Sequence, residues 1–511
     1  MSTATDPADW IESAARQRPD AVFLRVPRRA PALTYGALLE HTGRFSAALS
    51  ARGVTAGERV AVQTEKSADA VLLYLACLRL GAVYVPINTA NTVPEVDYFL
   101  RDCRPRMAVV RPADRARLEA VAGRAQVSHV ETLGTEGEGS LPELVRRSAA
   151  PRALMRSGGA QSLAAIVYTS GTTGRSKGAM LTRGNLASNG MTLAEAWRFT
   201  PDDVLLHTLP LFHVHGLFAA INTVLASAAG LLLLPKFDAA SVLAGLPDAT
   251  VYMGVPTHYT RLLQEPRFDR SATARMRLFV SGSAPLLAET HREFSQRTGH
   301  HILERYGMTE TLMNTSNPYD GARVPGSVGP PLPRVSIRVH AEKAVEDPAG
   351  AAVGDLEIAG PNVFAGYWGD PDKTQAAFTA DGWFKTGDVG CIDRHGYVTI
   401  VGRAKDLVIT GGYNVYPKEV EAELDALAGI LESAVFGVPH PDFGEGVTAA
   451  VVMRPGTQTS EADIMQALKA RLAGYKVPKR IVFRDELPRN AMGKVQKNAL
   501  RTTYASLYRT A

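Results

Sequence analysis

Tyr168–Gly178 reads Tyr-Thr-Ser-Gly-Thr-Thr-Gly-Arg-Ser-Lys-Gly. It packs three glycines, five Ser or Thr hydroxyls and two cations into eleven positions. This is the chemistry of a phosphate-holding loop. Gly171, Gly174 and Gly178 let the backbone turn and approach an anion closely. Thr169, Ser170, Thr172, Thr173 and Ser176 supply hydroxyl donors, and Lys177 supplies charge. The Walker A spacing cannot be read here.

Five further segments could work beside it. Ser281-Gly-Ser-Ala-Pro285 joins an expected strand to an expected helix, a natural ligand edge. Glu304-Arg-Tyr-Gly-Met-Thr-Glu310 gathers a ring, a hydroxyl and carboxylates. Lys385-Thr-Gly-Asp388 is expected to end in a carboxylate on a turn, suited to a ribose diol. Gly402-Arg-Ala-Lys-Asp406 opens the tail, and Pro488–Lys494 places a lysine just after a glycine.

The elements that must position these residues alternate between short apolar strands and helix-length segments. Strands are expected at Arg59–Gln63, Ala82–Pro86, Met107–Val110, Leu163–Val167, Val204–Leu209, Leu231–Pro235, Val251–Val255 and Arg277–Ser281. Helices are expected at Ala68–Leu80, Val93–Asp102, Gly216–Ala228, Ala239–Leu246, Thr257–Leu263 and Ala288–Thr298. Such alternation predicts an α/β fold whose large N-terminal domain is built of parallel sheets covered by helices. After Gly326 short strands between Gly and Pro turns predict a β-rich subdomain, about 326–404. Residues 405–511 are expected to form a small, mobile α+β C-terminal domain, with a helix opening at Pro417. The N-terminal domain is therefore expected to span 1–404.

Bulk properties narrow the class. The 511 residues are 45% hydrophobic and 21% charged, which suits a large folded core. The net charge of +5 comes without a Lys/Arg block or interleaved aromatics, so anionic small molecules are favoured over nucleic acid. Cys77, Cys103 and Cys391 show no metal-binding or redox spacing and fit a reducing cytoplasm. The acidic N-terminus lacks the apolar core of a signal peptide. Gly216–Pro235 is long and apolar, but Gly230 splits it, so a buried helix and strand are expected rather than a membrane span.

Taken together and in this order, the motifs resemble those of the acyl-adenylate-forming superfamily, which includes acyl-CoA synthetases, luciferases and peptide-synthetase adenylation domains. The resemblance runs from about Asp9 to Leu500. It implies ATP, Mg²⁺ and CoA as reactants. It implies that Thr169–Lys177 holds the β- and γ-phosphates. Gly282, Ser283, Ala284 and Arg305, Tyr306, Gly307 and Met308 would frame adenine, with Tyr306 stacking on it. Thr309 would touch the α-phosphate and Glu310 would hold Mg²⁺. Asp388 and Arg403 would take the ribose hydroxyls, and Lys494 would reach the substrate carboxylate and the α-phosphate. Lys405 matches the hinge about which the small domain swings to present Gly411, Gly412 and Tyr413 to the pantetheine arm of CoA.

Seventeen residues follow Lys494, with no carrier domain among them, which favours free CoA as acceptor. The acid is read from Pro210–Gly216 and Val255–Arg261. The resemblance implies that His213 and His215 place polar rings in the acyl site, together with Ser283 and Met308. Arg261 discriminates, because a fatty-acid pocket has no use for a guanidinium while a second substrate carboxylate does. These segments are similar to those of malonyl-CoA synthetases. That implies ligation of malonate to CoA, with methylmalonate accepted if space near Met308 permits. Two rivals stay open: a CoA ligase for a monocarboxylate or longer acid with Arg261 facing solvent, and a nucleotide-binding protein without turnover. A lysine acetyltransferase and deacetylase acting on Lys494 are further expected partners.

Overall fold

The computed structural model describes residues 6–27, 31–150, 158–169, 176–340, 345–346, 352–403, 406–411, 413–490 and 493–508. The chain divides into two compact units, one of residues 1–336 with 358–384 and one of 337–357 with 385–511.

The first unit holds two large sheets. One has seven strands in the order 366–367, 177–182, 163–169, 83–86, 59–63, 107–110 and 129–132. Its pairs are parallel from 163–169 onward, as Val60↔Tyr84 and Val60↔Met107 illustrate. The other has eight strands, ordered 312–316, 303–308, 278–281, 251–254, 204–207, 230–233, 22–25 and 33–34. Only its two edge pairs are antiparallel. The expected parallel, helix-covered sheets are thus present.

The reason lies in the strand composition. Met107–Val110 and Val251–Gly254 are buried at every position, as strands covered on both faces must be. Helix Ala68–Leu80 is buried from Ala70 to Leu80, which explains why it is apolar all round. It starts at a Ser67 cap and ends at Gly81 in the left-handed region. Its Tyr74 hydroxyl donates to Asn222 Oδ1 at 2.9 Å, which ties it to the helix of the long apolar stretch. That stretch forms a π-helix at His215–Ala220, a helix at Ile221–Ala226 and an inner strand at Gly230–Leu233. Among the described residues no helix is long and apolar enough to cross a membrane.

The second unit carries two smaller sheets. One runs in the order 336–339, 352–359, 384–392 and 398–403, with 345–346 beside 352–359, and is the expected β-rich part. The other runs 413–415, 408–410, 444–453 and 430–440, with 480–483 parallel to 444–453. Helix Pro417–Asp425 starts at the predicted proline.

One local expectation is corrected. Asp388 lies inside strand Phe384–Ile392, not on a turn, because the strand pairs antiparallel through it to Arg403.

Candidate active site

Strand Leu163–Thr169 and strand Lys177–Thr182 form a hairpin, with Thr169 opposite Lys177. The segment expected to hold phosphates is therefore the hairpin's connection. Ser170, Gly171, Thr172, Thr173 and Gly174 lie outside the described residues. The base of the loop is well anchored. Tyr168 stacks on Phe99 with ring centroids 4.4 Å apart, and its hydroxyl donates to Asp102 at 2.5 Å. Tyr98 donates to the Ser176 carbonyl at 2.8 Å. Lys177 Nζ sits 4.9 Å from the centre of the Tyr367 ring.

Tyr367 links this loop to the acidic motif. Its hydroxyl donates to Glu310 Oε1 at 3.1 Å. Burial and the Glu310 charge both push the Tyr367 phenol upward, so it remains a donor. Strands Leu303–Met308 and Leu312–Ser316 form a tight hairpin with Thr309 and Glu310 at its tip. Lys177, Tyr367 and Glu310 are thereby brought together. Glu310 is 7% exposed, and the described residues contain no cluster of three or more metal-binding side chains. A buried carboxylate linked through Tyr367 to Lys177 fits Mg²⁺, which keeps most of its shell for phosphate oxygens and water.

Of the residues expected at the acyl site, His213, His215 and Ser283 are brought together beyond the carboxyl ends of parallel strands. His215 is fully buried on the π-helix, and Ser283 Oγ lies 3.2 Å from its Nδ1. The His215 backbone N–H donates to His213 Nδ1 at 3.2 Å. Gly216 is required here, because a Cβ would lie 2.2 Å from the Pro210 carbonyl oxygen. Ser283 itself has φ of 70°, a conformation that side chains other than glycine seldom adopt. Arg305 is buried and packs on Gly282, where a Cβ would come within 2.3 Å of the guanidinium. Its Nε and Nη2, and Nε2 of His215, have no hydrogen-bond partner among the described residues. Ala284 and Met308 are half-buried nearby in sequence, and Tyr306 donates weakly to Met308 Sδ at 3.9 Å.

Arg261 is exposed on helix Pro256–Leu263. Its charge acts on His258, one turn earlier. Residues that sequence reading missed complete this region. Tyr252 bridges His258 Nδ1 at 2.8 Å and Thr208 at 3.2 Å, and His258 stacks on Phe237 at 4.0 Å. Lys66 donates to the His207 carbonyl at 2.8 Å. Burial holds His207, His215 and His258 neutral, and Lys66, Arg305 and Arg261 add to the effect. Three neutral imidazoles with basic neighbours are the result.

Glu304 behaves differently. It is 6% exposed and accepts from the Gly326 N–H at 3.1 Å. Burial raises its carboxyl from 4.5 to about 8. A raised carboxyl favours folding while protonated, so this stability is present at low pH and is lost as pH climbs from about 4.5 through about 8. Glu304→Gln should therefore match wild type near pH 5 and exceed it by about 2 kcal/mol at pH 9, measured by chemical unfolding. Equal stabilities at both pH values would mean that Glu304 is ionised in the folded protein.

The second unit holds the remaining candidates. Asp388, 3% exposed, pairs with Arg403 Nε at 2.6 Å, so this is not a surface ion pair. Gly411 has φ of 58° and donates to the Phe443 carbonyl at 2.9 Å. Tyr413 is 59% exposed and stacks on Tyr475 at 4.8 Å. Lys494 lies in a small hairpin closed by the Arg489↔Val495 bridge, and its N–H donates to Asn490 Oδ1 at 3.0 Å. Lys405 and Gly412 lie outside the described residues.

Residues 11–368 match the model of the AMP-binding enzymes, and 419–494 match that family's C-terminal domain. The chain belongs to the AMP-binding enzymes. This is the acyl-CoA synthetase superfamily that the motifs resemble. The ATP-bound crystal structure of MatB from Rhodopseudomonas palustris is 53% identical, with a TM-score of 0.93 over 98% of this chain and 100% of that one. The mitochondrial malonate–CoA ligase ACSF3 of Mus musculus is 37% identical over 87% of this chain and 81% of its own length. Indoleacetate–CoA ligase of Aromatoleum aromaticum is 35% identical over 98% of both. This AMP-binding enzyme thus lies near malonate–CoA ligases, with ligases of other acids at similar distance.

Proposed function

We propose that this enzyme joins malonate to CoA through a malonyl-adenylate, releasing AMP and pyrophosphate, and that methylmalonate is a secondary substrate. ATP and CoA are co-substrates and Mg²⁺ is the metal. The carrying observation is the basic surroundings of two buried imidazoles. Arg305 acts on neutral His215, and Arg261 and Lys66 act on neutral His258. Such surroundings suit an acid that keeps a second negative charge after its first carboxylate has reacted.

The chemistry divides between the two halves of the chain. A carboxylate oxygen attacks the α-phosphorus and pyrophosphate leaves. Both reactants are anions, so positioning and charge neutralisation dominate the barrier. Thr169 to Lys177 would hold the leaving phosphates, Thr309 the α-phosphate, and Glu310 the magnesium ion that offsets their charge. Gly282 to Ala284 and Arg305 to Met308 would frame adenine, with Arg305 turned to the acyl side. Asp388 and Arg403 would position ribose, and Lys494 would bridge the carboxylate and the α-phosphate. Residues 405–511 would then pivot at Lys405 and bring Gly411, Gly412 and Tyr413 to the CoA thiol, whose sulfur attacks the acyl carbonyl as AMP leaves. Acetylation of Lys494 would remove a charge needed only in the first step, which makes it a control point for an acetyltransferase and deacetylase. The described cysteines are all free, in keeping with a reducing cytoplasm.

The test is ATP- and CoA-dependent thioester formation with malonate, methylmalonate, succinate, acetate and octanoate. Arg261→Ala should lower kcat/KM for malonate by about 10- to 100-fold and leave acetate nearly unchanged. A wild-type preference for a monocarboxylate, insensitive to Arg261→Ala, would place Arg261 in solvent and discard malonate.

A further inference from the structure

We infer that Lys66 is a second cationic ligand for the distal carboxylate of the acid, in addition to Arg261. This rests on the dicarboxylate reading above and extends it to a residue outside every recognisable motif.

Lys66 follows strand Arg59–Gln63 and directly precedes Ser67, the cap of helix Ala68–Leu80. It lies in the connection that leaves a strand of the seven-stranded sheet, yet its ammonium reaches a strand of the eight-stranded one. Nζ donates to the His207 carbonyl at 2.8 Å, at the carboxyl end of strand Val204–His207. Helix Pro256–Leu263, with His258 and Arg261, follows the carboxyl end of the adjacent strand Val251–Gly254. Lys66 is thus carried to the strand edge where α/β folds bind ligands.

Its surroundings lack an anion. An ammonium has three donors, and a single carbonyl occupies one of them. No carboxylate among the described residues lies within ion-pair distance of it. The adjacent Glu65 is engaged elsewhere, with Arg111 Nη1 at 2.8 Å. The other charges nearby are basic: both Lys66 and Arg261 act on the His258 ring. Withdrawal from water pushes the Lys66 ammonium well below its ordinary pKa, which an arriving carboxylate would reverse. A half-buried lysine set among bases without a counter-ion is poorly placed for stability alone. It is well placed to receive a carboxylate.

The alternative is that Lys66 only ties the two sheets together through His207. Lys66→Gln separates the two roles, since glutamine retains an N–H donor but carries no charge. Lys66→Arg retains both. The purified full-length enzyme would be assayed with malonate, succinate and acetate, and melting temperatures recorded without substrate. For malonate, Lys66→Gln should raise KM by about 10- to 100-fold, with a smaller change in kcat. Acetate kinetics should stay within twofold of wild type, as this variant removes no contact to a monocarboxylate. Lys66→Arg should restore most of the malonate affinity. Thermal-shift titration with malonate alone gives a second readout that does not depend on turnover, and Lys66→Gln should lose most of the shift. A Lys66→Gln enzyme that keeps its malonate KM, or loses activity equally on all three acids, overturns the inference and leaves Lys66 a structural tie. A wild-type enzyme with no preference for diacids overturns the parent reading as well, which distinguishes the two failures.

Discussion

Lys494→Ala is expected to lower malonate-dependent ATP–pyrophosphate exchange by about 100- to 1,000-fold. Thioester formation from supplied malonyl-adenylate should fall by less than about threefold, because an interaction made only in one transition state affects only that step. The local structure supports this split. Arg489 donates to the Gly493 carbonyl at 2.6 Å and pairs with Glu432, while Asn490 and Lys494 exchange hydrogen bonds of 3.0 Å. These contacts shape the turn through the backbone and through other side chains, so the alanine variant should fold. Acetylating Lys494 should reproduce the alanine phenotype, since it removes the charge and retains the length. Undiminished exchange in either protein would show that another cation serves the adenylation step.

The second large effect concerns stability. Glu421 lies in helix Pro417–Asp425 with its side chain 2% exposed. Its oxygens meet Lys418 Nζ and Lys497 Nζ, both at 2.6 Å, and accept from the Val435 N–H at 2.9 Å. Burial alone would raise its carboxyl, but the two ammonium groups outweigh burial and the net shift is downward. A depressed carboxyl stabilises the fold above its unfolded pKa, and that contribution is lost as pH falls through the folded value. Lys497 opens helix Lys497–Thr503, three residues after Lys494. The triad therefore pins the segment that follows the Lys494 hairpin.

Glu421→Ala strands two ammonium groups and should cost about 3–5 kcal/mol. Urea unfolding of the full-length enzyme should show the loss in the transition of the second unit, and adenylation should weaken with it. The triple variant that combines Glu421→Leu with Lys418→Met and Lys497→Met should cost far less, because no charge is left uncompensated. A Glu421→Ala loss below about 1 kcal/mol would mean that water reaches the site and solvates both lysines.

Much of this was legible along the chain because the signals are local. Strands such as Met107–Val110 are buried on both faces, so they appear as unbroken apolar runs between turn residues. Helix Ala68–Leu80 carries its own start and stop signals in Ser67 and Gly81. The hydroxyl- and glycine-rich loop has the composition of a phosphate-holding segment, whereas the Glu304–Glu310 motif and the Gly493-Lys494 pair gain meaning only from the order in which they follow it. Family and reaction class follow from their order.

Tertiary structure decided what depends on neighbours distant in sequence. The 141 positions between Lys66 and His207 hide their contact, and nothing in Glu-Lys-Ser suggests a ligand. Asp388 looked like a turn residue because Gly387 precedes it, yet cross-strand pairing to Arg403 holds it in an extended strand. Glu304 and Glu310 share one motif, but one carboxyl is raised by burial while the other meets Tyr367, 57 positions away. Residue type and spacing set the chemical inventory, because they need only the chain. Burial and pairing set the charge, direction and partner of each group, because desolvation and Coulomb energies depend on what folding brings alongside.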